Sequence, residues 1–295
     1  MPTKRLGLLG RDLTQVENEL LRLPGEAYAD AYNEYSIGDW ATATLWNEPD
    51  PPPDGSVREH GEVAVPTIWG QSMVCTNDLI RQCFQLSSLR AVRAFRARAG
   101  AIIIPHRDYL EHPTGFTRIH LPVLTSEMAR NSEADAVYHM SQGEVWFLDG
   151  RIVHSGGVLG PVDRIHLVLD FDSDLEDTPS AALVVKPEDL PPFSVIERGP
   201  LPASFLDGLG LTAPCLRLAT WPSLVELLAR VHLFYDASAD SLYDWLETVA
   251  KESGRNELQD EATRMRRYFL IDGPSRTPTF GQAWTSALTQ DGFWS

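Results

Sequence analysis

Cysteine is scarce in this sequence of 295 residues. The three cysteines, Cys75, Cys83 and Cys215, are odd in number and lack the Cys-x-x-Cys spacing of metal-binding and redox motifs. A disulfide framework therefore explains the fold poorly, and the free thiols fit a reducing compartment. We expect a cytoplasmic protein.

Basic residues are also few. Lys and Arg number 25 against 41 Asp and Glu, which gives a formal net charge of −16. Phosphate backbones bind basic patches, so this balance argues against a nucleic-acid partner. The longest basic cluster, Arg90 to Arg98, alternates with Ala, Val and Phe, which indicates one face of a structural element and not a disordered arm.

Long hydrophobic runs are missing as well. Met1 to Arg5 leads into a short apolar run that ends at Arg11 and Asp12, so we expect neither a signal peptide nor a membrane span. With 43% apolar and 22% charged residues, the composition is that of a globular protein with a sizeable core.

The periodicity of apolar residues changes along the chain. Residues 12–23 and 79–89 carry them at helical spacing, and the first of these patterns ends at Pro24. Short strand patterns follow, with Gly and Pro between them, which predicts an antiparallel sandwich or barrel. The candidate strands are 101–104 (ending at Pro105), 118–124, 137–140, 144–148 and 164–171.

The composition changes again after Phe171. A stretch rich in Pro, Asp, Glu and Ser precedes a region of amphipathic helical patterns. We therefore predict a β domain with N-terminal helices over residues 1–178, a linker over 179–203 and an α-helical domain over 204–295.

His106 and Asp108 stand two residues apart, directly after the apolar run. Residues i and i+2 of a strand point to the same face, so both side chains can reach one metal ion. His154 follows the strand pattern 144–148 and supplies a second imidazole. Two histidines and a carboxylate form a facial triad that binds iron(II) and leaves positions open for a keto acid and dioxygen. The alternative for an isolated pair of this kind is a buried histidine with an ordinary hydrogen-bond partner.

Two further cations stand on predicted strands. Arg164 and His166 share one strand face, as do Arg118 and His120. If the strand of Arg164 pairs antiparallel with that of His154, Arg164 lies beside the metal and can bind a carboxylate bidentately. Buried cations are costly unless they meet anions, and the carboxylates of a substrate and a keto acid would serve. The alternatives are a barrel-rim cation for Arg164 and a solvent-facing surface for the other pair.

These segments resemble the bacterial free L-proline hydroxylases of the proline 3-hydroxylase type. That group lies in the aspartyl/asparaginyl β-hydroxylase branch of the Fe(II)/2-oxoglutarate dioxygenases. The matching segments are Ile104 to His120, Gly143 to Asp149, Val153 to Ser155, Arg164, Tyr35 to Trp40, Leu45 to Asn47, Val231 to Asp236 and Tyr243 to Leu246.

The resemblance implies a mainly β fold, a double-stranded β-helix (cupin or jelly-roll) with flanking helices and a C-terminal α-helical subdomain. It implies a 2-oxoglutarate-dependent hydroxylase of a free L-amino acid, such as proline, pipecolate or lysine, in secondary metabolism. Iron(II), 2-oxoglutarate and dioxygen would be required. The residues that the resemblance assigns are the iron ligands His106, Asp108 and His154, the 2-oxoglutarate-binding Arg164 and His120, and the substrate-binding Arg118.

Two other functions stay open at this stage. One is hydroxylation of a protein-bound or carrier-bound residue. The other is a non-catalytic cupin-like protein whose helical domain recruits a partner. The sequence also leaves open the amino acid, the carbon that is hydroxylated and the oligomeric state, with a homodimer among the alternatives.

Overall fold

A computed structural model describes residues 3–29, 35–52, 55–57, 59–108, 116–172, 175 and 177–271. The strands are β1 (Lys4–Leu8), β2 (Tyr28–Ala29), β3 (Ser36–Ile37), β4 (Trp40–Asn47), β5 (Val65–Pro66), β6 (Leu89–Ala97), β7 (Ile102–His106), β8 (Phe116–Leu124), β9 (Ala129–Glu133), β10 (Ala136–Tyr138), β11 (Glu144–Leu148), β12 (His154–Val158), β13 (Arg164–Asp172), β14 (Gly199–Pro200) and β15 (Tyr235–Asp236). The helices are α1 (Thr14–Leu21), α2 (Val74–Cys83), α3 (Phe205–Thr212), α4 (Trp221–Ala229), α5 (Ser241–Glu252) and α6 (Asn256–Arg266), and a π-helical turn (Arg267–Ile271) follows the last helix.

Two antiparallel sheets form the centre of the molecule. The larger has the order β1-β11-β8-β13-β6-β4-β2 with β5 beside β4, and the smaller has the order β10-β9-β12-β7-β3. Strands that are distant in sequence are neighbours in both sheets, as in a jelly roll. The predicted double-stranded β-helix with flanking helices is confirmed.

Alternation along β8 and β13 divides the side chains of the larger sheet between two environments. Ile119 and Leu167 belong to an apolar cluster that α1 and α2 cover. Arg118, His120 and Arg164 line a cavity between the two sheets. The prediction that β8 and β13 each have one polar and one apolar face is therefore confirmed, and the polar faces point into the cavity between the sheets.

The smaller sheet packs against the C-terminal helices. Ile102 and Ile104 of β7 belong to one buried cluster with apolar side chains of α4, α5 and α6. We call this group of elements, residues 205–271, the helical module. None of the described helices has the length and apolarity that crossing a bilayer requires. The predicted domain boundaries stay predictions, and residues 272–295 of the predicted helical domain lie outside the described residues.

The helix predicted over residues 12–23 is confirmed as α1, but the one predicted over residues 79–89 is displaced along the chain, because α2 already begins at Val74. The helix α2 ends at Cys83, and a 3₁₀ turn (Leu86–Ser88) leads into β6. Leu89 is fully buried as the first residue of that strand. Leu89 is apolar because it is buried in the sheet. Its distance from Cys83 and Leu86 happens to match helical spacing, and this led to the wrong prediction.

Pro105 was expected to end its strand, but β7 continues through it to His106. Proline lacks an N–H and is tolerated where the ladder needs no donor. Here β3 pairs only with Ile102 and Ile103, and the register with β12 is irregular between His154 and Gly156. The proline therefore costs this strand no ladder hydrogen bond.

Candidate active site

Three metal-ligand candidates meet at the edge of the smaller sheet. The strands β7 and β12 are neighbours in a register that places His106 opposite His154, and Asp108 follows β7. One ligand atom from each residue lies within 4.8 Å of the others. Nε2 of His106 is 3.3 Å from Oδ1 of Asp108, and Nε2 of His154 is 3.6 Å from Oδ2. The structure brings together the three residues that the sequence analysis selected.

Backbone carbonyls fix the tautomers of the two histidines. Nδ1 of His106 is 2.7 Å from the Ile104 oxygen, and Nδ1 of His154 is 2.9 Å from the Ile152 oxygen. A carbonyl only accepts, so each Nδ1 carries the proton and each Nε2 presents its lone pair towards Asp108. Burial lowers the pKa of His154 to about 4, so this imidazole is neutral at physiological pH. Metal-binding histidines show this arrangement, in which the second ring nitrogen donates to a carbonyl.

Asp108 is held by the backbone and by a cation. Its N–H donates to the Gly150 oxygen at 2.8 Å, and Nη1 of Arg118 donates to Oδ2 at 2.7 Å. A Cβ atom at position 150 would lie 2.5 Å from Oδ2, so only glycine fits there. Burial acts to raise the pKa of Asp108, but Arg118, His154 and His106 outweigh it and hold the pKa well below its usual value.

This donor set has the chemistry of a mononuclear non-haem iron(II) site. It consists of two imidazole nitrogens and one carboxylate oxygen, with no thiolate. The carboxylate of Asp108 is ionised and the imidazole of His154 is neutral, which are the protonation states that metal binding requires. The residues present therefore fit iron(II).

Arg164 reaches the cavity by a route different from the predicted one. Its strand, β13, pairs with β6 and β8 in the larger sheet, not with the strand of His154 in the smaller sheet. The side chain crosses to the smaller sheet, where a Cβ on Gly156 would lie 2.8 Å from Nη1. Its guanidinium also lies 5.0 Å from the ring centroid of Trp40. Arg164 lines the same cavity as the three ligand candidates, although the strand pairing from which its position was predicted is not formed.

Arg164, His166 and His120 form a chain of buried contacts. Nε of Arg164 donates to Nε2 of His166 at 3.0 Å, a shorter contact than the 3.3 Å between its Nη2 and Nδ1. His166 therefore carries its proton on Nδ1, which lies 3.4 Å from Nδ1 of His120. That places the proton of His120 on Nε2. Burial, reinforced by Arg164, lowers the pKa of both histidines well below 6.5, so both are neutral.

This chain leaves two donors unsatisfied. Nε2 of His120 and Nη1 of Arg164 are buried and have no hydrogen-bond partner among the described residues. Burial lowers the pKa of Arg164 to about 10, which still leaves a cation at neutral pH. Buried donors without partners are rare and costly, so this pair is suited to an anion that enters the cavity.

Arg118, predicted to bind substrate, is held between two carboxylates. In addition to Asp108, it contacts Asp170 through Nε at 2.7 Å and Nη2 at 3.1 Å. Asp170 also accepts from Nη2 of Arg93 at 2.6 Å, and both of these partners are fully buried. Two cations and two anions thus form a continuous buried array that ends at a metal-ligand candidate.

The cavity encloses about 670 Å³, which includes part of its open mouth. Polar residues and apolar side chains both line it. The apolar wall comprises Tyr35, Trp40, Phe95, Ile103 and Leu148. All six site residues predicted from the sequence line this cavity.

Sequence analysis missed several residues of the site. Asp170 shares the inward face of β13 with Arg164 and His166, and continuing that alternation along the strand would have found it. Asn131 lines the cavity from β9, a strand that carries no apolar alternation. Gly150 has no sequence signal beyond a turn-forming Asp-Gly pair, because its close contact with Asp108 is set by the tertiary fold.

Comparison with known proteins gives matches over both parts of the chain. A model described as aspartyl/asparaginyl beta-hydroxylase matches residues 9–174. A model described as L-proline 3-hydroxylase, C-terminal, matches residues 182–277. The two matches cover the β core and the helical module respectively.

Curated relatives extend over nearly the whole length. The L-proline cis-4-hydroxylase of Rhizobium meliloti (strain 1021) is 31% identical over 270 residues, which are 92% of this chain and 96% of that protein. The L-proline cis-3-hydroxylase 1 of a Streptomyces species is 30% identical over 269 residues, 89% of this chain and 90% of that protein. A 2OG-Fe(II) oxygenase family oxidoreductase from Burkholderia pseudomallei superimposes with a TM-score of 0.37 and 12% identity, over 61% of this chain and 83% of the other.

Proposed function

Since this chain belongs to the aspartyl/asparaginyl β-hydroxylase family, we propose that it hydroxylates an unactivated C–H bond of free L-proline or a close cyclic analogue such as pipecolate. It is a 2-oxoglutarate-dependent dioxygenase that uses iron(II), 2-oxoglutarate and dioxygen. One observation supports the proposal most directly. The unpartnered donors of His120 and Arg164 line the same cavity as the two-histidine, one-carboxylate cluster.

In this proposal His106, Asp108 and His154 hold the iron. When bound together, iron(II), 2-oxoglutarate and dioxygen supply the oxidising chemistry that converts C–H into C–OH. The protein contributes two imidazoles, an ionised carboxylate and a buried cavity that limits water. Arg118 hydrogen-bonds to Asp108, and so it keeps that carboxylate ionised and oriented.

Two cations, Arg164 and Arg118, and the neutral His120 recognise carboxylates. Arg164 and His120 bind 2-oxoglutarate through the two donors that lack partners. Arg118 binds the carboxylate of the amino acid while Asp170 holds its guanidinium in place. Each of these three side chains thus has a partner inside the protein that orients it and a second function towards a ligand.

Charge and shape favour a compact neutral side chain over a lysine-like one. Among the described residues that line the cavity, Asp108 is the only acidic side chain, and it already pairs with Arg118. A lysine substrate would therefore bring an ammonium group that meets no free carboxylate there. The apolar wall around Trp40 and Phe95 suits a saturated ring.

We also propose the organisation and location of the protein. Residues 1–178 would form the oxygenase domain, 179–203 the linker and 204–295 the helical domain, in keeping with the ranges of the two family matches. The cytoplasm is the proposed location, since the described residues contain only free cysteines.

A mass-spectrometric screen tests the function. Metal-free protein receives iron(II), 2-oxoglutarate, air and a panel of free L-amino acids that includes proline, pipecolate, lysine, leucine and arginine. We expect a product with one added oxygen from proline or pipecolate, dependent on both iron and keto acid. Succinate without any hydroxylated amino acid would favour a protein-bound or carrier-bound substrate instead. The absence of both a hydroxylated product and succinate would contradict the proposal.

A further inference from the structure

We propose that the helical module is part of the metal centre, because Tyr243 and Phe269 hold the end of the strand that carries His106. The inference rests on the proposed function, since it concerns how one ligand of the iron is positioned. It assigns Tyr243 as a positioning residue that acts through the backbone and does not touch the metal or the substrates.

The peptide groups on both sides of His106 bind to the helical module. The Tyr243 hydroxyl of α5 donates to the Pro105 oxygen, a contact that is fully buried. The Arg107 N–H donates to the Phe269 oxygen in the π-helical turn at 3.1 Å. Residues from two separate helical elements therefore clamp the ligand-bearing residue from before and after.

The sheet does not supply this support. In the register of β7 with β12, only His106 is paired near the strand end, opposite His154, before the register shifts. On the other side, β3 pairs with Ile102 and Ile103 and reaches no further. Pro105 stands in neither of these registers, and the helical module supplies the hydrogen-bond partner of its carbonyl.

A series of tilted and edge-to-face aromatic contacts joins the same elements to the imidazole itself. The Tyr35 ring lies 4.6 Å from the ring of His106 and 5.6 Å from that of Phe269, measured between centroids. Phe269 in turn lies 6.4 Å from the Tyr243 ring. Both the backbone and the ring plane of His106 are thus set by contacts that include the helical module.

The hydroxyl of Tyr243 is a dependable donor in this position. Burial raises the pKa of Tyr243 well above 10, so the hydroxyl keeps its proton at physiological pH. Loss of the hydroxyl would leave a buried carbonyl unsatisfied at the residue next to the ligand. Loss of a hydrogen bond that orients a metal ligand typically weakens metal affinity by about tenfold to hundredfold.

The test uses Co(II) as a spectroscopic probe of the full-length apoprotein. We expect Tyr243→Phe to weaken Co(II) binding by about tenfold or more and to change the intensity of the d–d absorption bands. The matched control is Trp245→Phe, on the same helix, whose ring packs on Phe205 at 5.0 Å and makes no described hydrogen bond to the peptide groups around His106. The control should lower the unfolding temperature without changing the Co(II) affinity or spectrum.

Two further variants keep the outcome decisive. Phe269→Leu removes the ring that contacts Tyr35 and keeps the backbone carbonyl, so it should change the Co(II) spectrum even if Tyr243→Phe does not fold. Wild-type affinity and spectrum in a folded Tyr243→Phe or Phe269→Leu protein would overturn the inference. His106→Ala separates this result from the proposed function, because undiminished Co(II) binding in that variant would overturn the metal centre itself.

Discussion

His106 and His154 present the same ring nitrogen to the metal for the same local reason. Each lies two residues after the carbonyl that accepts from its Nδ1, so the strand geometry around each histidine fixes its tautomer. His120 has no such carbonyl among its described hydrogen bonds, and its tautomer depends on His166 from a neighbouring strand. The role of a histidine in this cavity therefore follows from which partner holds its other nitrogen.

Substitution of Asp108 should remove hydroxylation. We expect Asp108→Ala to reduce product formation to background, because the variant lacks the carboxylate among the three ligand candidates and loses the ion pair between Arg118 and Asp108. Product is measured by mass spectrometry with iron(II) in excess. Asp163→Asn, at a site outside the cavity, is the control and should retain activity. Full activity in Asp108→Ala would refute the triad.

Arg164 should govern the requirement for 2-oxoglutarate. We expect Arg164→Ala to raise the KM for 2-oxoglutarate by about tenfold to hundredfold, since hydrogen bonds to charged groups contribute about 1.5–3 kcal/mol. The KM is measured at saturating amino acid, and the KM for the amino acid should change less. Arg96→Ala, which removes a cation outside the cavity, serves as control. An unchanged requirement would show that another cation binds the keto acid.

The proposed proton positions of His120 and His166 can be read directly. In protein labelled with ¹⁵N-histidine, ring-nitrogen chemical shifts should show an Nδ1–H tautomer for His166 and an Nε2–H tautomer for His120. We further expect His166→Phe to weaken 2-oxoglutarate binding by about tenfold, because Arg164 loses its acceptor and His120 loses its donor. An Nδ1–H tautomer for His120 in the wild type would contradict this assignment.

Regular strands with one polar and one apolar face were predictable. Residues 144–148 were predicted as a strand and form β11 with the same bounds, and the inward face of β13 was predicted as well. By contrast, β12 was missed because His154 is followed by Ser, Gly and Gly, which carry no strand pattern. Local pattern cannot show which sheet a strand joins, and for this reason the pairing of Arg164 was predicted wrongly.

Gly156 of β12 allows Arg164 to reach the metal-ligand strand. We expect Gly156→Ala to raise the KM for 2-oxoglutarate by about tenfold to hundredfold, because the new Cβ would lie 2.8 Å from Nη1 and displace the guanidinium. Gly199→Ala is the control, since a Cβ there meets no atom within 4 Å. Steady-state kinetics on both variants measure the effect. Equal KM values would place the guanidinium elsewhere during turnover.

The arrangement of the whole molecule could be predicted only in part. The order of β domain, connecting segment and helices follows from periodicity and composition. The packing of these parts could not be predicted. The helical module packs on the smaller sheet and α1 and α2 cover the larger one through complementary apolar surfaces that are far apart in sequence. The sequence also does not show which buried polar side chains contact each other between these parts. The contact of His232 with Ser132 is an example.

His232 connects the helical module to the smaller sheet. It is buried, and its Nε2 lies 2.9 Å from Oγ of Ser132 on β9. Burial, together with the nearby cation Arg198, lowers the pKa of His232 to about 3 from an ordinary value of 6.5. Between these two pH values the unfolded chain binds a proton that the folded protein does not bind, so stability falls as the pH falls.

The loss at pH 5 relative to neutral pH should be about 2 kcal/mol in the free energy of unfolding. We expect His232→Gln, which can keep a hydrogen bond to Ser132 but cannot titrate, to lose about that much less than the wild type between pH 7.5 and pH 5. Urea unfolding followed by tryptophan fluorescence gives the free energy at each pH. Ser132→Ala is the matched control: it should be less stable throughout but keep the slope of the wild type, because its imidazole still titrates. Equal slopes in wild type and His232→Gln would mean that His232 has the same protonation state in the folded and unfolded protein. Acid sensitivity would then arise elsewhere in the molecule.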